Sequence, residues 1–281
     1  MIKNKKILFI ALSLFSVALL TLFAIKAIEN KASKNEPVIE DTQATTDGVA
    51  KDDSDPYDPD IYWREITKYS KVILPLNAKN GDKYLADTLF VGDSNTEGIG
   101  AFEHMPMKNV LGKHSMDIQG VSTDAYIQIA EDIPETEEDE SQYITMLQSI
   151  AIRQPKRIII NFGTNNAGSH AIPEQFAAVY ADTLKQIESS CPKTEIVIAA
   201  ILPVCKERSY PKIMQDVIDQ FNLQLAQLCR ENGYGFLNYP EVFKDSQTGY
   251  ANADYFSADG VHLNGDGYRL LLDYAGKHQY N

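Results

Sequence analysis

Gly92-Asp93-Ser94-Asn95 follows the apolar run Thr88-Leu89-Phe90-Val91 and opens a polar, helix-starting stretch, which puts a serine hydroxyl at a strand-to-helix turn. Far downstream, Asp259-Gly260-Val261-His262 sets a carboxylate three residues before an imidazole. These are the parts of a nucleophilic acyl-transfer site, in which the imidazole takes the serine proton and the carboxylate orients the ring. Gly163-Thr164-Asn165-Asn166 follows another apolar run and offers a side-chain amide, and Gly120 follows Met116-Asp117-Ile118-Gln119 and offers a backbone N–H. With the N–H of Ser94, Asn165 and Gly120 are candidate donors to an oxyanion; losing one such donor typically costs about 3–4 kcal/mol of transition-state stabilisation.

Each residue also has a plain structural reading. Ser94-Asn95-Thr96-Glu97 fits the S-x-x-E capping box, in which serine merely satisfies helix N–H groups. Asn165 and Asp259-Gly260 suit ordinary turns, and Gly120 suits the end of a strand. His262 is one of five histidines. His170 is its rival by closeness to Asn165, yet it has no carboxylate within a few residues, whereas His262 has Asp259.

The elements that must position these groups alternate between two periodicities. Leu89–Val91, Ile158–Phe162 and Ile196–Leu202 are continuous apolar runs, as expected of parallel strands covered on both faces, with Met116–Gln119 and Gly235–Tyr239 as weaker candidates. Between them, Phe176, Tyr180, Leu184 and Ile187 share one helical face, as do Val217, Phe221, Leu225 and Leu228, and Tyr268, Leu271, Leu272 and Ala275. Strands separated by helices predict an α/β domain with a parallel sheet, whose chemistry gathers at the carboxyl ends of the strands. Ser94, Gly120 and Asn165 each lie just beyond one of the predicted strands.

On these residues the chain resembles the SGNH hydrolases, also called GDSL esterases/lipases, from about Asp87 to Ala275. Gly92-Asp93-Ser94-Asn95 looks like the family's first block and supplies a nucleophile, Ser94. Gly120 matches the glycine of the second, Gly163-Thr164-Asn165-Asn166 the Gly-x-Asn-Asp of the third, and Asp259 with His262 the Asp-x-x-His of the last. The resemblance implies a flavodoxin-like three-layer α/β/α fold and a cofactor-free serine mechanism. Two positions depart from the pattern: Asn95 replaces a common Leu or Ile, and Asn166 replaces the usual Asp. A G-x-S-x-G elbow, G-x-x-x-x-G-K-[ST] and H-E-x-x-H are all missing, and Asn264-Gly265-Asp266-Gly267 lacks EF-hand spacing and suits a turn opening the last helix.

The N-terminus points to a membrane. Residues 1–6 carry three lysines, and the run from Ile7 to Ile25 has no charge before Lys26. At about 1.5 Å per residue this run nearly crosses a hydrocarbon core. A cut after Ala24 would place Leu22, and one after Ala27 would place Ile25, where a signal peptidase needs a small residue. An uncleaved signal-anchor over residues 7–25 is therefore expected, with a short cytoplasmic leader and the rest of the chain extracellular; secretion after cleavage is the alternative. Residues 26–60 are polar and read as a linker to a head spanning 61–281. The stretch from Glu131 to Glu140 reads as a solvated loop or a helix start.

The net charge of −13 divides into +5 over the first 34 residues and −18 over the remainder, which disfavours nucleic acid as a partner of the head. Cys191, Cys205 and Cys229 are too few for a disulfide framework and read as small buried hydrophobes; no metal spacing accompanies them. The expectation is an anchored serine esterase acting on acyl esters, acetyl or other short chains on envelope carbohydrate among them, with catalytic Ser94, His262 and Asp259. Alternatives are an O-acyltransferase using the same serine, a lysophospholipase or thioesterase, and a non-catalytic surface binding module.

Overall fold

Five short runs rich in Ile, Val, Leu and Phe form the central sheet: β1 (Thr88–Gly92), β2 (Val110–Gly112), β3 (Arg157–Asn161), β4 (Glu195–Ala199) and β5 (Gly235–Leu237). The computed structural model describes residues 57–77, 79–128, 143–169 and 172–280. All five strands are parallel, in the order β2-β1-β3-β4-β5. Between and around them run helices α1 (Pro59–Ile66), α2 (Ser94–Ala101), α3 (Met146–Arg153), α4 (Thr164–Gly168), α5 (Pro173–Ser190), α6 (Gln215–Asn232) and α7 (Gly265–Lys277).

Alternate residues of a strand face opposite sides, so a sheet made of continuous apolar runs needs cover on both. Leu89, Val91, Ile158, Ile160, Ile196 and Ile198 pack into one core with residues of α1, α3, α5 and α6, among them Tyr62, Ile150, Tyr180 and Phe221. Phe90, Ile159, Val197, Ala199 and Leu237 pack into the other with Ile99 of α2 and Tyr268, Leu271 and Tyr274 of α7. The result is a three-layer α/β/α sandwich. Its strand order is that of the flavodoxin-like doubly wound sheets, with the topological switch point between β1 and β3. Gly92 pairs with Asn161 at their carboxyl ends, so the turns carrying Ser94 and Asn165 emerge side by side.

The predicted helical faces hold. Phe176, Tyr180, Leu184 and Ile187 are buried on α5, and Phe221, Leu225 and Leu228 on α6. The last helix begins where Asn264 caps the N–H groups of Asp266 and Gly267, as the turn reading expects. Among the described residues no group of side chains could hold a metal ion. The three cysteines are buried and unbridged.

Two expectations need correction. Met116–Gln119 is not a strand. Met116 and Ile118 are buried, which produces the strand-like alternation, but the backbone closes local turns in which Gly120 N–H bonds Asp117 and Val121 N–H bonds Ile118. The strand at that edge is β2, only three residues long. The run Ile196–Leu202 leaves the sheet after Ala199; beyond it the Asn222 side chain brackets Ile201, accepting from its N–H at 2.7 Å and donating to its carbonyl at 3.0 Å. A buried backbone without ladder partners thereby keeps its hydrogen bonds. The apolar run 7–25, residues 26–56 of the linker, the acidic stretch 131–140 and His170 lie outside the described residues. Among the described residues no helix is long and apolar enough to cross a membrane.

Tyr57 anchors the start of α1 to the rest of the fold. Its hydroxyl donates to Asp219 Oδ2 at 2.6 Å and accepts from Lys244 Nζ at 3.0 Å, and Asp58 caps α1. Lys244 is fully buried and contacts both oxygens of Asp219 at 2.6 and 2.8 Å, with the rings of Tyr57, Tyr62 and Trp63 around it. Burial lowers the Lys244 ammonium and raises the Asp219 carboxyl, each opposed by the other's charge. Gln215 donates to Asp219 and accepts from Val204 N–H, which ties this pair to the connection between β4 and α6. Removing one charge of a buried pair strands the other, so Lys244→Met should lower unfolding stability in urea by about 3–5 kcal/mol. Adding Asp219→Leu should restore part of that loss; fully additive losses would show that the two charges are not coupled.

Candidate active site

Ser94 is the first residue of α2, directly after β1 and its following Asp93. The capping-box alternative does not hold, because Asp93 is the N-cap and its Oδ1 accepts from Asn95 N–H at 3.1 Å. Glu97, the other half of that box, instead accepts from the His114 backbone N–H at 2.9 Å. The Ser94 hydroxyl is therefore free for a different partner, and it lies 2.8 Å from His262 Nε2. His262 Nδ1 lies 2.6 Å from Asp259 Oδ2. A carboxylate can only accept, so Nδ1 carries the hydrogen and Nε2 presents its lone pair to the serine.

The imidazole is held by its own loop. Asp259 Oδ1 accepts from the backbone N–H groups of Val261 and His262, both at 3.0 Å, which closes a tight turn under the ring. Gly260 has φ +71, and a Cβ there would sit 2.5 Å from the Glu207 carbonyl, so both conformation and space demand glycine. Cys205 N–H bonds Gly260 and Ser209 N–H bonds Asp259, which lays segment 205–209 along the turn. It brings Tyr210 edge-on to the His262 ring, centroids 6.4 Å apart. Burial disfavours charge on Asp259, but the backbone and ring hydrogen bonds of His262, with Val261 N–H, outweigh it and hold the carboxyl below its ordinary range.

The third segment is the turn after β3. Gly163 takes φ +141, and a Cβ on it would fall 2.2 Å from Ile201 Cδ1, so glycine lets this turn close against the β4 connection. Asn165 donates to the Met116 carbonyl at 2.8 Å, which engages one of its two amide hydrogens. Asn166 is buried; its Oδ1 accepts from Ile118 N–H at 3.4 Å and its Nδ2 donates to Gln119 Oε1 at 3.1 Å. An aspartate could serve Ile118 but would face Gln119 Oε1 with a second acceptor, so the departure at position 166 matches the glutamine opposite. Both asparagines thus grip the 116–119 loop that leads to Gly120. The Gly120 N–H itself is bonded to Asp117, at 3.2 Å to the carbonyl and 3.1 Å to Oδ1, and in this arrangement faces no open space. The Ser94 N–H belongs to the first turn of a helix, where no helical carbonyl accepts.

Three features were not legible as parts of the site: Asp93 as the cap, Tyr210 beside the imidazole, and the Asn166–Gln119 pair. Asp93 is buried with Oδ2 unpartnered, and burial pushes its carboxyl up to about 6 despite the Asn95 N–H. Asp93→Asn keeps an acceptor for the cap and removes the buried charge. A carboxyl raised to about 6 in the fold costs no stability below its ordinary value and progressively more as pH rises towards that point. The stability gap favouring Asp93→Asn over the wild type should therefore widen between about pH 4 and pH 6, reaching about 3 kcal/mol, and stay constant above. Parallel stability profiles for the two proteins across that window would refute this assignment.

Comparison with known proteins shows the family. A model of the GDSL-like lipase/acylhydrolase family matches residues 90–270, which spans Ser94, Gly120, Asn165, Asp259 and His262. No curated protein matches the chain. Among solved structures, the chain is similar to a candidate acylhydrolase from Bacteroides fragilis, with 16% identity over 75% of this chain and 92% of that one and a TM-score of 0.52. It is also similar to a candidate platelet activating factor from Streptococcus pneumonia, with 19% identity over 79% of this chain and 95% of that one and a TM-score of 0.50. The α/β/α sandwich, the four blocks in order and the family match together place this chain in the GDSL-like lipase/acylhydrolase family, the SGNH hydrolases.

Proposed function

We propose that this chain is a serine ester hydrolase whose nucleophile is Ser94, and that it acts outside the cell from a membrane anchor at residues 7–25. The observation that carries the chemistry is the continuous line from Ser94 Oγ through the His262 ring to Asp259. In this mechanism His262 Nε2 takes the proton as Ser94 Oγ attacks the acyl carbonyl, and Asp259 holds the imidazolium that forms. The negative charge on the carbonyl oxygen falls to the Ser94 N–H, at the positive end of α2, and to the second amide hydrogen of Asn165. Gly120 N–H joins them when its bond to Asp117 opens. Protonated His262 then releases the alcohol, and a water activated by the same nitrogen frees the acyl group from the serine.

The substrate we assign is a short acyl ester, acetyl foremost, on carbohydrate of the cell envelope. The extracellular location proposed above would set the site among such esters, and the −18 charge of residues 35–281 opposes docking on polyanions. The anchor rests on the uncharged run from Ile7 to Ile25.

Ser94→Ala should lower turnover of a short aryl ester by at least about 10³-fold with melting unchanged, and should abolish labelling by a fluorophosphonate probe. Turnover at the wild-type rate in that variant would refute the nucleophile. Assay of an acetyl aryl ester with and without a glycan bearing free hydroxyls tests hydrolysis against acyl transfer: release of free acetate in water supports the hydrolase, and turnover only with that acceptor present overturns it. A chain lacking residues 1–34 should leave the membrane fraction and keep its activity; if it stays with membranes, the anchor assignment fails.

A further inference from the structure

The side chain that follows the nucleophile reaches across to the loop that carries the base. Asn95 is 2% exposed. Its Oδ1 accepts from the backbone N–H of Leu263 at 3.1 Å, and its Nδ2 donates to the carbonyl of Val261 at 3.4 Å. One amide therefore brackets His262 from both sides, by the peptide groups before and after it. Val261 and Leu263 are themselves buried, so neither backbone group has water as an alternative partner.

The connectivity gives this contact its consequence. Ser94 and Asn95 are adjacent in the chain, and the Asn95 N–H is fixed by the Asp93 cap. The bracket ties the His262 loop to the very peptide unit that carries the nucleophile, so hydroxyl and imidazole share one local frame. The Asp259 turn orients the ring within its own loop, whereas Asn95 sets where that loop stands relative to α2. A leucine of similar size would fill the space but leave a buried C=O and N–H unpaired.

We propose that Asn95 is a positioning residue that holds the Ser94–His262 hydrogen bond at reacting distance; this rests on the serine-hydrolase reading above. The test compares the full chain with Asn95→Leu, Asn95→Asp and Ser94→Ala, using a short aryl ester. Displacing a reacting pair by about an ångström costs up to about 100-fold, so Asn95→Leu should lower kcat by about 10- to 100-fold with KM within about twofold. Fluorophosphonate labelling of Ser94 should slow by the same factor, with cooperative melting retained.

Asn95→Asp keeps the acceptor for Leu263 and can donate to Val261 only when its carboxyl is protonated. Its kcat relative to the wild type should therefore rise as pH falls from about 8 to about 5, whereas a residue that merely fills space would give a ratio that is flat or falls, because the new carboxylate favours protonation of the neighbouring imidazole. Wild-type kcat in Asn95→Leu, or a flat or falling ratio in Asn95→Asp, overturns the proposal; should the leucine variant fail to fold, the ratio alone decides. Undiminished turnover in Ser94→Ala would instead sink the nucleophile reading, and loss there beside a wild-type rate in Asn95→Leu would sink only the positioning role.

Discussion

A neutral imidazole accepts a proton from a serine hydroxyl only along a short, directed contact, and that contact spans residues 94 and 262 of this chain. Neither partner brings the other into place through local sequence. β1 delivers Ser94 to the carboxyl edge of the sheet, and the Asp259 turn delivers His262 from the segment just before α7. The doubly wound order makes the meeting possible. β1 and β3 diverge into helices on opposite faces at the switch point, where such sheets gather their functional groups. Helix α2 packs with α7 in one core, and α5 lies in the other.

Side-chain amides do much of the remaining alignment. Asn222 brackets Ile201, Gln215 holds Val204, Asn166 holds Ile118, and Asn95 holds Val261 and Leu263. Each supplies partners to backbone that has left a sheet or never joined a helix. Loops around an α/β site need irregular paths to present side chains, yet their polar groups cannot be buried unpaired. An amide is suited to that task because it offers an acceptor and two donors without a charge to desolvate. The loops here are consequently fixed by cross-chain hydrogen bonds rather than by apolar packing alone.

The same observation explains which parts could be read from residues in order. The hydrogen-bonded line of Ser94, His262 and Asp259 was legible from residue type and short spacing, and the long apolar runs at 158–162 and 196–199 from continuous hydrophobicity. β2 was missed because three residues, the last a glycine, give no period, while Met116–Gln119 imitated a strand through two buried side chains in a turn. Tyr210 stands beside His262 only because segment 205–209 pairs with Asp259 and Gly260, a contact with no local signature. Asn95 and Asn166 could be seen as departures from a pattern, but their partners lie far along the chain and no spacing reveals them.

Buried charge marks where this fold gives up stability for arrangement. Lys244 and Asp219 at least neutralise one another, and Tyr57 and Gln215 add further hydrogen bonds to Asp219. Asp93 has no such cation; one oxygen caps α2, and the Thr164 side chain and the His262 ring only partly offset its burial. A serine at the same position would cap without desolvating a charge, so capping alone does not require the acid. What distinguishes Asp93 is its place between the strand end and the nucleophile, within the field of the His262 ring. When that ring becomes an imidazolium, a carboxylate at 93 is favoured and the positive charge gains a second counter-ion beside Asp259. The buried acid is therefore least costly when the neighbouring ring is charged.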